Sequence, residues 1–232
     1  MNLLAIDTST PRFALVLAAA DRRFERVGDP AGSGGRHGRE LLPAIQALIR
    51  SAGLVPGELD AIAVGLGPGS YTGLRVGITA AKTLAFALGK PLVGVDSFAA
   101  IARNAPPDAA SVHVVADAQR GDIYLREFAG PAAEGTMTSL GPVRVVAMGP
   151  WAESLAPATW VLGPTLDRLR VAWPAGVRLG DVAQGFPSGE ALVALGCEAI
   201  RTERWADPAT IEPSYVRRSA AEDQWDKLGR KS

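Results

Sequence analysis

A glycine-rich turn constrains the fold of this chain more than any other stretch. Residues 61–66 are apolar and predict a β-strand, residues 67–77 read GPGSYTGLRVG, and a helical pattern covers about 71–88. When a glycine turn joins a strand to the N-terminus of a helix, the backbone N–H groups of the turn point towards an anion. The lysine of a nucleotide-binding P-loop is missing, however, and the glycines do not fit the dinucleotide-binding spacing. The turn therefore has the shape of a phosphate site without the side chains that use one.

The helix after this turn has a very wide apolar face. At about 100° per residue, apolar or small side chains fill an arc about twice as wide as the stripe of roughly 100° that one sheet requires. Val76 and Ala80 lie at one edge of the arc, and Ile78 and Ala85 lie at the other. We therefore expect one edge to face the core and the other to face a partner, without a prediction of which is which. Burial entirely within its own domain is the alternative.

The segments around this unit predict an α/β lobe. Three apolar runs near 3–6, 13–19 and 24–27 read as a strand meander, and the glycine-rich residues 28–38 read as a loop. A helix should follow over about 37–53, starting near Leu41 or kinked at Pro43. A strand near 91–95 and a helix near 98–103 complete the lobe.

The second half repeats the start of the first half. A strand that ends at Asp117 is followed by a second strand near Ile123, with the spacing that separates Asp7 from Phe13. This repetition indicates a duplication. The proline-rich residues 104–108 mark the boundary, so we predict one lobe over 1–104 and a second over 105–232.

Composition excludes several classes of protein. Lys plus Arg and Asp plus Glu both number 24, so zero net charge argues against a protein that binds nucleic acid unaided. The single Cys197 fits a reducing cytosol. We expect a cytoplasmic protein, because no signal peptide is evident and no apolar run reaches the roughly 20 residues that span a bilayer.

The polar side chains do not assemble a catalytic or metal site. Asp7 and Asp117 follow strands, where carboxylates hold a metal phosphate or, more simply, accept N–H groups of a turn. His37 has Leu41 at the position where a helical metal-binding pair needs its second ligand. Ser70 and Thr72 fit helix capping at least as well as phosphate binding. Arg217 and Arg218 are interpreted as a solvated basic tail.

These stretches resemble the TsaB (YeaZ-like) family of bacterial tRNA-modification proteins. The resemblance is carried, in the family's order, by residues 4–10, 37–43, 67–77, 117–124 and 212–217. It implies an α/β fold of the actin/Hsp70-like (ASKHA) type, with two related lobes that each have a mixed β-sheet and flanking helices. It also implies a role in making N6-threonylcarbamoyladenosine beside the tRNA anticodon.

In that pathway the resemblance implies a non-catalytic scaffold. A TsaD-like sister subunit holds the metal and transfers the threonylcarbamoyl group, a TsaE-like ATPase assists, and tRNA is met only through the complex. This chain would have no catalytic residue, no metal and no cofactor of its own, with ATP and metal on the partner subunits. It would also have no contact with a membrane.

The resemblance also predicts two sets of site residues. The family docks its sister through the helices near 37–53 and 71–88, and the predicted contacts are Leu41, Ile45, Leu48, Ile49, Leu74, Val76, Ile78, Ala81 and Ala85. The predicted remnant of a phosphate loop comprises Asp7, Thr8, Ser9, Gly67, Gly69, Ser70, Thr72 and Gly73.

Two other functions stay open. One is an active ATP-dependent phosphotransferase or metallopeptidase of the same fold. The other is a homodimer in which the same helices pair with themselves. The sequence leaves open whether a nucleotide binds at the junction with a partner.

Overall fold

Two mixed β-sheets form the framework of the protein. The computed structural model describes residues 1–28, 37–130, 136–164, 166–169 and 171–217. In this part of the chain, each sheet has a central strand that pairs with an antiparallel neighbour on one side and a parallel neighbour on the other. The predicted α/β class is therefore confirmed.

The first sheet is built around a strand that is buried on both faces. Its strands are β1 (Leu3–Asp7), β2 (Ala14–Ala19), β3 (Arg22–Val27), β4 (Ala61–Gly65), β5 (Leu92–Val95) and β12 (Trp205–Ala206), in the order β12-β5-β4-β1-β2-β3. Leu4 and Ile6 of β1 face one core cluster, whereas Leu3 and Ala5 face another. The continuous apolar run in β1 thus reflects burial on both sides.

Helices cover both faces of this sheet. Helices α1 (His37–Ser51) and α2 (Tyr71–Leu88) pack on one face, and α5 (Gly189–Arg201) packs on the other. Pro43 lies inside α1, which begins at His37 rather than near Leu41. Most of the predicted 28–38 loop, residues 29–36, lies outside the described residues.

The second sheet repeats the strand order of the first. Its strands are β6 (Ser111–Asp117), β7 (Asp122–Ala129), β8 (Thr138–Ser139), β9 (Arg144–Ala147), β10 (Trp160–Leu162) and β11 (Arg178–Leu179), in the order β11-β10-β6-β7-β8, with β9 also on β7. Asp117 pairs with Ile123 as Asp7 pairs with Ala14. The turn in the first lobe is thus one residue longer than the predicted alignment with Phe13 assumed.

The remaining helical segments are short. Helix α3 (Ser97–Ala102) connects the lobes, α4 (Met148–Glu153) lies beside the second sheet, and 3-10 turns occur at Pro56–Glu58 and Leu166–Arg168. No helix within the described ranges is long and apolar enough to cross a membrane.

The predicted division into 1–104 and 105–232 is wrong for the C-terminal part. Helix α5 buries Ala191, Leu192 and Ala199 against the first sheet, and β12 pairs antiparallel with β5. The face of the first sheet opposite α1 and α2 is apolar, and α5 packs on it and shields it from water. The first lobe is therefore completed by residues from the C-terminal end of the chain.

Candidate functional site

The glycine turn packs directly against the turn between β1 and β2. A β-carbon at Gly73 would overlap the carbonyl oxygen of Thr8, and one at Gly77 would overlap the Thr8 hydroxyl. The two helical glycines therefore allow α2 to approach the turn after β1 closely. The element that approaches belongs to the same lobe and not to a partner.

Hydrogen bonds hold the two turns together. The Thr8 hydroxyl donates to the carbonyl oxygen of Gly73 at 2.8 Å, and the amide of Ser70 donates to the carbonyl oxygen of Ser9 at 2.7 Å. The Ser70 hydroxyl accepts the amide of Gly73 at 3.2 Å as the N-cap of α2. Polar groups that could face an anion are thus used within the chain.

Asp7 lies at the centre of this arrangement and is buried. One carboxylate oxygen accepts the amide and hydroxyl of Ser9 at 2.8 and 2.6 Å, and the other accepts the Ser97 hydroxyl at 2.6 Å. Ser97 in turn accepts the amide of Gly67 at 3.1 Å. Burial raises the pKa of Asp7, although the hydrogen bonds from Ser9 and Ser97 oppose that rise. The interpretation of Asp7 as a turn carboxylate thus agrees with its geometry.

Seven of the eight predicted phosphate-loop residues therefore come together. They are Asp7, Thr8, Ser9, Gly67, Gly69, Ser70 and Gly73. Thr72 lies apart from them on the exposed side of α2. Asp117, the equivalent of Asp7 in the second lobe, is exposed and accepts the amide of Gln119 at 2.7 Å.

Eight of the nine predicted docking contacts are buried and do not lie on the surface. Each is at most 5% exposed in the core of the first lobe, and they are Leu41, Ile45, Leu48, Ile49, Leu74, Ile78, Ala81 and Ala85. Helices α1 and α2 direct these side chains at the sheet and at each other. Of the predicted set, Val76 is half-buried at the edge of that core.

An apolar groove instead lies on the outer side of α1 and α2. This α1–α2 groove measures about 690 Å³ and is lined by Leu41, Leu42, Tyr71, Thr72, Arg75, Val76, Thr79, Ala80, Thr83 and Leu84. Leu42 is 49% exposed, and Phe86, one turn beyond the groove on α2, is 83% exposed. The edge of α2 that carries Val76 and Ala80 therefore faces outwards, and the edge with Ile78 and Ala85 faces the core.

Residues 212–217 lie beside one end of this groove. The ring of Tyr215 lies 5.2 Å from the ring of Tyr71, and the Arg75 guanidinium lies 4.8 Å from the Tyr71 ring centre. Arg217 donates to the carbonyl oxygen of Ala118 at 2.6 Å and pairs with Asp122 at 3.3 Å. The interpretation of Arg217 as part of a solvated tail is thus wrong, and Arg218 lies outside the described residues.

Sequence reasoning missed Leu42, Tyr71, Leu84, Phe86 and Tyr215 as residues in or beside the groove. The apolar arc of α2 contained the signal for Leu84, and Phe86 was recognisable as an aromatic residue on the polar side of the helix. Tyr215 could not be placed, because its position depends on long-range contacts of an extended segment.

Metal ligands do not cluster in the described ranges. No group of three or more His, Cys, Asp or Glu side chains there could hold a metal ion. The side chain of His37 lies outside the described part of the structure. A second cavity of about 360 Å³ lies between the lobes, where Arg103 pairs with Glu198 and Arg126 pairs with Asp96.

Known proteins match this chain over almost its full length. The tRNA threonylcarbamoyladenosine biosynthesis protein TsaB of Bacillus subtilis is 30% identical over 97% of this chain and 98% of its own length. This chain belongs to the TsaB family. The TsaB of Escherichia coli is 28% identical over 98% of each protein. YeaZ from Pseudomonas aeruginosa superposes with a TM-score of 0.77 at 28% identity, over 92% of this chain and 99% of that one. The actin-like fold expected of a TsaB-family member is thus confirmed.

A family model also matches the part of the chain that contains the groove. The model of TsaD, tRNA N6-adenosine threonylcarbamoyltransferase, matches residues 30–142. This range includes α1, α2 and the glycine turn. The TsaB-family chain therefore carries its exposed groove on the part that it shares with the transferase family.

Proposed function

We propose that this protein is a non-catalytic scaffold subunit in the synthesis of N6-threonylcarbamoyladenosine beside the tRNA anticodon. Its TsaB relatives carry the name of that pathway. The observation that carries the scaffold role is the exposed apolar α1–α2 groove, to which a TsaD-like transferase subunit binds.

The groove has the composition of an interface core. Val76, Ala80 and Leu84 form its apolar floor on α2, and Leu42 and Phe86 project beside it. Large contiguous apolar patches on a protein surface mark interaction sites. Aromatic residues and Arg are enriched in interfaces, whereas Lys and Glu are depleted. Tyr71 and Arg75 at the end of the groove fit this pattern.

The match to the TsaD family supports the choice of partner. A TsaD-like chain has its own version of the region matched by residues 30–142, and so of the two helices in that region. Two similar helix pairs can meet face to face about an approximate two-fold axis. The same geometry would also allow two copies of this chain to pair, and the experiment below distinguishes the two partners.

The closed glycine turn supports the absence of chemistry. Asp7, Ser70 and Gly73 use their polar groups to hold the turn in place. ATP and metal would therefore be bound by the partner subunits, and a TsaE-like ATPase would act on the assembled complex. Turnover of ATP or peptide near 1 per second by the pure chain, lost in Asp7→Ala, would contradict this proposal.

Charge substitution in the groove tests the proposal. We expect the wild-type protein to co-purify with the TsaD-like subunit and to restore N6-threonylcarbamoyladenosine in cells depleted of it. Val76→Asp should fold but lose both properties, because an interface centre accommodates an unpaired charge poorly. Val182→Asp is the matched control, since Val182 is 64% exposed outside the groove.

The outcomes separate the partners. Loss of assembly in Val76→Asp but not in Val182→Asp supports docking through the groove. Assembly that survives Val76→Asp would contradict it. A wild-type protein that forms only its own dimer, with no affinity for the TsaD-like subunit, would favour a homodimeric module instead.

A further inference from the structure

We propose that residues 212–217 form part of the partner-binding surface, with Tyr215 as an anchor for the TsaD-like subunit and Arg217 as its positioning residue. This inference rests on the proposed function and extends the docking surface beyond the two helices. It concerns a segment more than 120 residues away from α2 in sequence.

Tyr215 continues the aromatic end of the groove. Its ring packs on Tyr71 with the ring planes 31° apart, and Arg75 covers Tyr71. Tyr71 and Tyr215 remain 45% and 46% exposed. Tyr and Arg are enriched among the residues whose removal weakens protein complexes most. The three side chains thus present an exposed aromatic and cationic surface beside an apolar groove.

The backbone of the segment is held in place before any partner binds. The amide of Ser214 donates to the carbonyl oxygen of Leu66 at 2.8 Å, directly before the glycine turn. Ile211 is buried in the core of the first lobe, and Lys82 of α2 lies 3.5 Å from its carbonyl oxygen. An anchor that is already ordered loses less conformational entropy on binding.

Arg217 fixes the far end of the segment on the second lobe. Its guanidinium donates to the carbonyl oxygen of Ala118 and pairs with Asp122, both at the turn between β6 and β7. Tyr215 is therefore held between Leu66 of the first lobe and this turn of the second lobe. Removal of the Arg217 side chain should release Tyr215 without removing any groove residue.

Binding of the purified TsaD-like subunit to full-length variants tests the inference. We expect Tyr215→Ala to raise the dissociation constant at least about tenfold, as for an interface anchor. Tyr215→Phe, which retains the ring, should bind within about threefold of wild type. Trp205→Ala is the matched control, because Trp205 is 49% exposed on β12 and does not line the groove.

A second set of variants separates positioning from general stability. Arg217→Ala should weaken binding less than Tyr215→Ala and should speed hydrogen exchange at the Ser214 amide, while Arg217→Lys restores part of the affinity. The double variant Tyr215→Ala/Arg217→Ala should bind like Tyr215→Ala alone, because Arg217 acts through Tyr215. Arg178→Ala, another partly exposed arginine of the second lobe, is the control.

The possible results are distinct. Wild-type affinity in Tyr215→Ala, with binding still abolished by Val76→Asp, would overturn this inference and leave the proposed function intact. No binding by the wild-type protein would overturn the proposed function and this inference with it. An effect of Tyr215→Ala on self-association alone would assign the surface to a second copy, and the inference as stated would be wrong.

Discussion

Burial favours the neutral form of His113 on β6. Its Nδ1 accepts the indole N–H of Trp151 at 3.3 Å, and its Nε2 lies 3.7 Å from the Glu127 carboxylate. Arg144 also pairs with Glu127 at 2.6 Å. Burial lowers the pKa of His113, Glu127 opposes that shift, and Arg144 adds to it. Protonation at Nδ1 would break the bond to Trp151.

Acid should therefore destabilise the protein through His113. The unfolded chain takes up this proton near the ordinary His pKa of 6.5, whereas the folded chain does so only at lower pH. The stabilising contribution of this site is present above about pH 6.5 and declines as the pH falls towards the folded-state pKa. In urea titrations, the free energy of unfolding should fall more between about pH 7.5 and 5.5 for wild type than for His113→Gln. Equal losses would contradict this assignment.

Gly77 should not accept a methyl group despite its position inside a helix. Glycine to alanine normally stabilises a helix interior by about 1 kcal/mol. At Gly77 the methyl group would overlap the Thr8 hydroxyl, which bonds to Gly73. We expect Gly77→Ala to lower the free energy of unfolding by about 1–3 kcal/mol.

Gly149 provides a matched control for that substitution. It lies in α4, and a β-carbon there would have no neighbour within 4 Å. Gly149→Ala should be neutral or stabilising in the same urea titration. Similar effects at both glycines would show that the contact with Thr8 does not limit Gly77.

At the scale of the element, α2 has two faces with different roles. Ile78 and Ala85 pack in the core, whereas Val76 and Ala80 border the groove. Ile78→Asp places an unpaired carboxylate in an apolar core, so it should lower the free energy of unfolding by several kcal/mol or abolish the melting transition. Val76→Asp should melt close to wild type.

Calorimetry on the two purified variants measures this difference. If Val76→Asp unfolds as readily as Ile78→Asp, Val76 belongs to the core. The Val76→Asp variant would then fail as a test of docking. Normal melting of Ile78→Asp would show that the assignment of the two faces is reversed.

Helix α3 links the two lobes. Its Phe98 and Ile101 are buried in a cluster with Val112 and Val114 of the second sheet. Asp96 caps this helix through the amide of Ala99 and pairs with Arg126 of β7. The junction between the lobes is therefore packed and charge-paired.

For the whole molecule, balanced charge predicts weak binding of tRNA. The sequence carries 24 basic and 24 acidic residues, and several arginines between and beside the lobes are already paired with Asp or Glu. Affinity for nucleic acid comes mainly from cations that meet phosphates. We expect the isolated protein to bind tRNA with a dissociation constant above about 1 μM at physiological salt.

Fluorescence anisotropy with labelled tRNA measures that affinity, and the complex with the TsaD-like subunit provides the comparison. Tighter binding by the chain alone would contradict the expectation that tRNA is met only through the complex. The salt dependence of each affinity reports how many phosphate contacts each species makes.

Most elements and their repetition in the two halves could be predicted from local sequence patterns. Strand β4, the glycine turn and α2 were predicted from apolar runs, turn residues and helical periodicity, because these signals are local. The repeated pattern of a strand, an Asp and a second strand was visible for the same reason. The width of the apolar arc on α2 also predicted two covered sides, but not which edge faces the core.

The packing of distant segments, by contrast, became clear from the folded structure. Periodicity shows that Val76 and Ile78 lie at opposite edges of an arc, but the sheet and α1 decide that Ile78 is buried. The return of α5 to the first lobe and the contact of Arg217 with the turn after Asp117 join residues far apart in sequence. Such contacts depend on the shape of the surfaces that meet, which no local pattern contains.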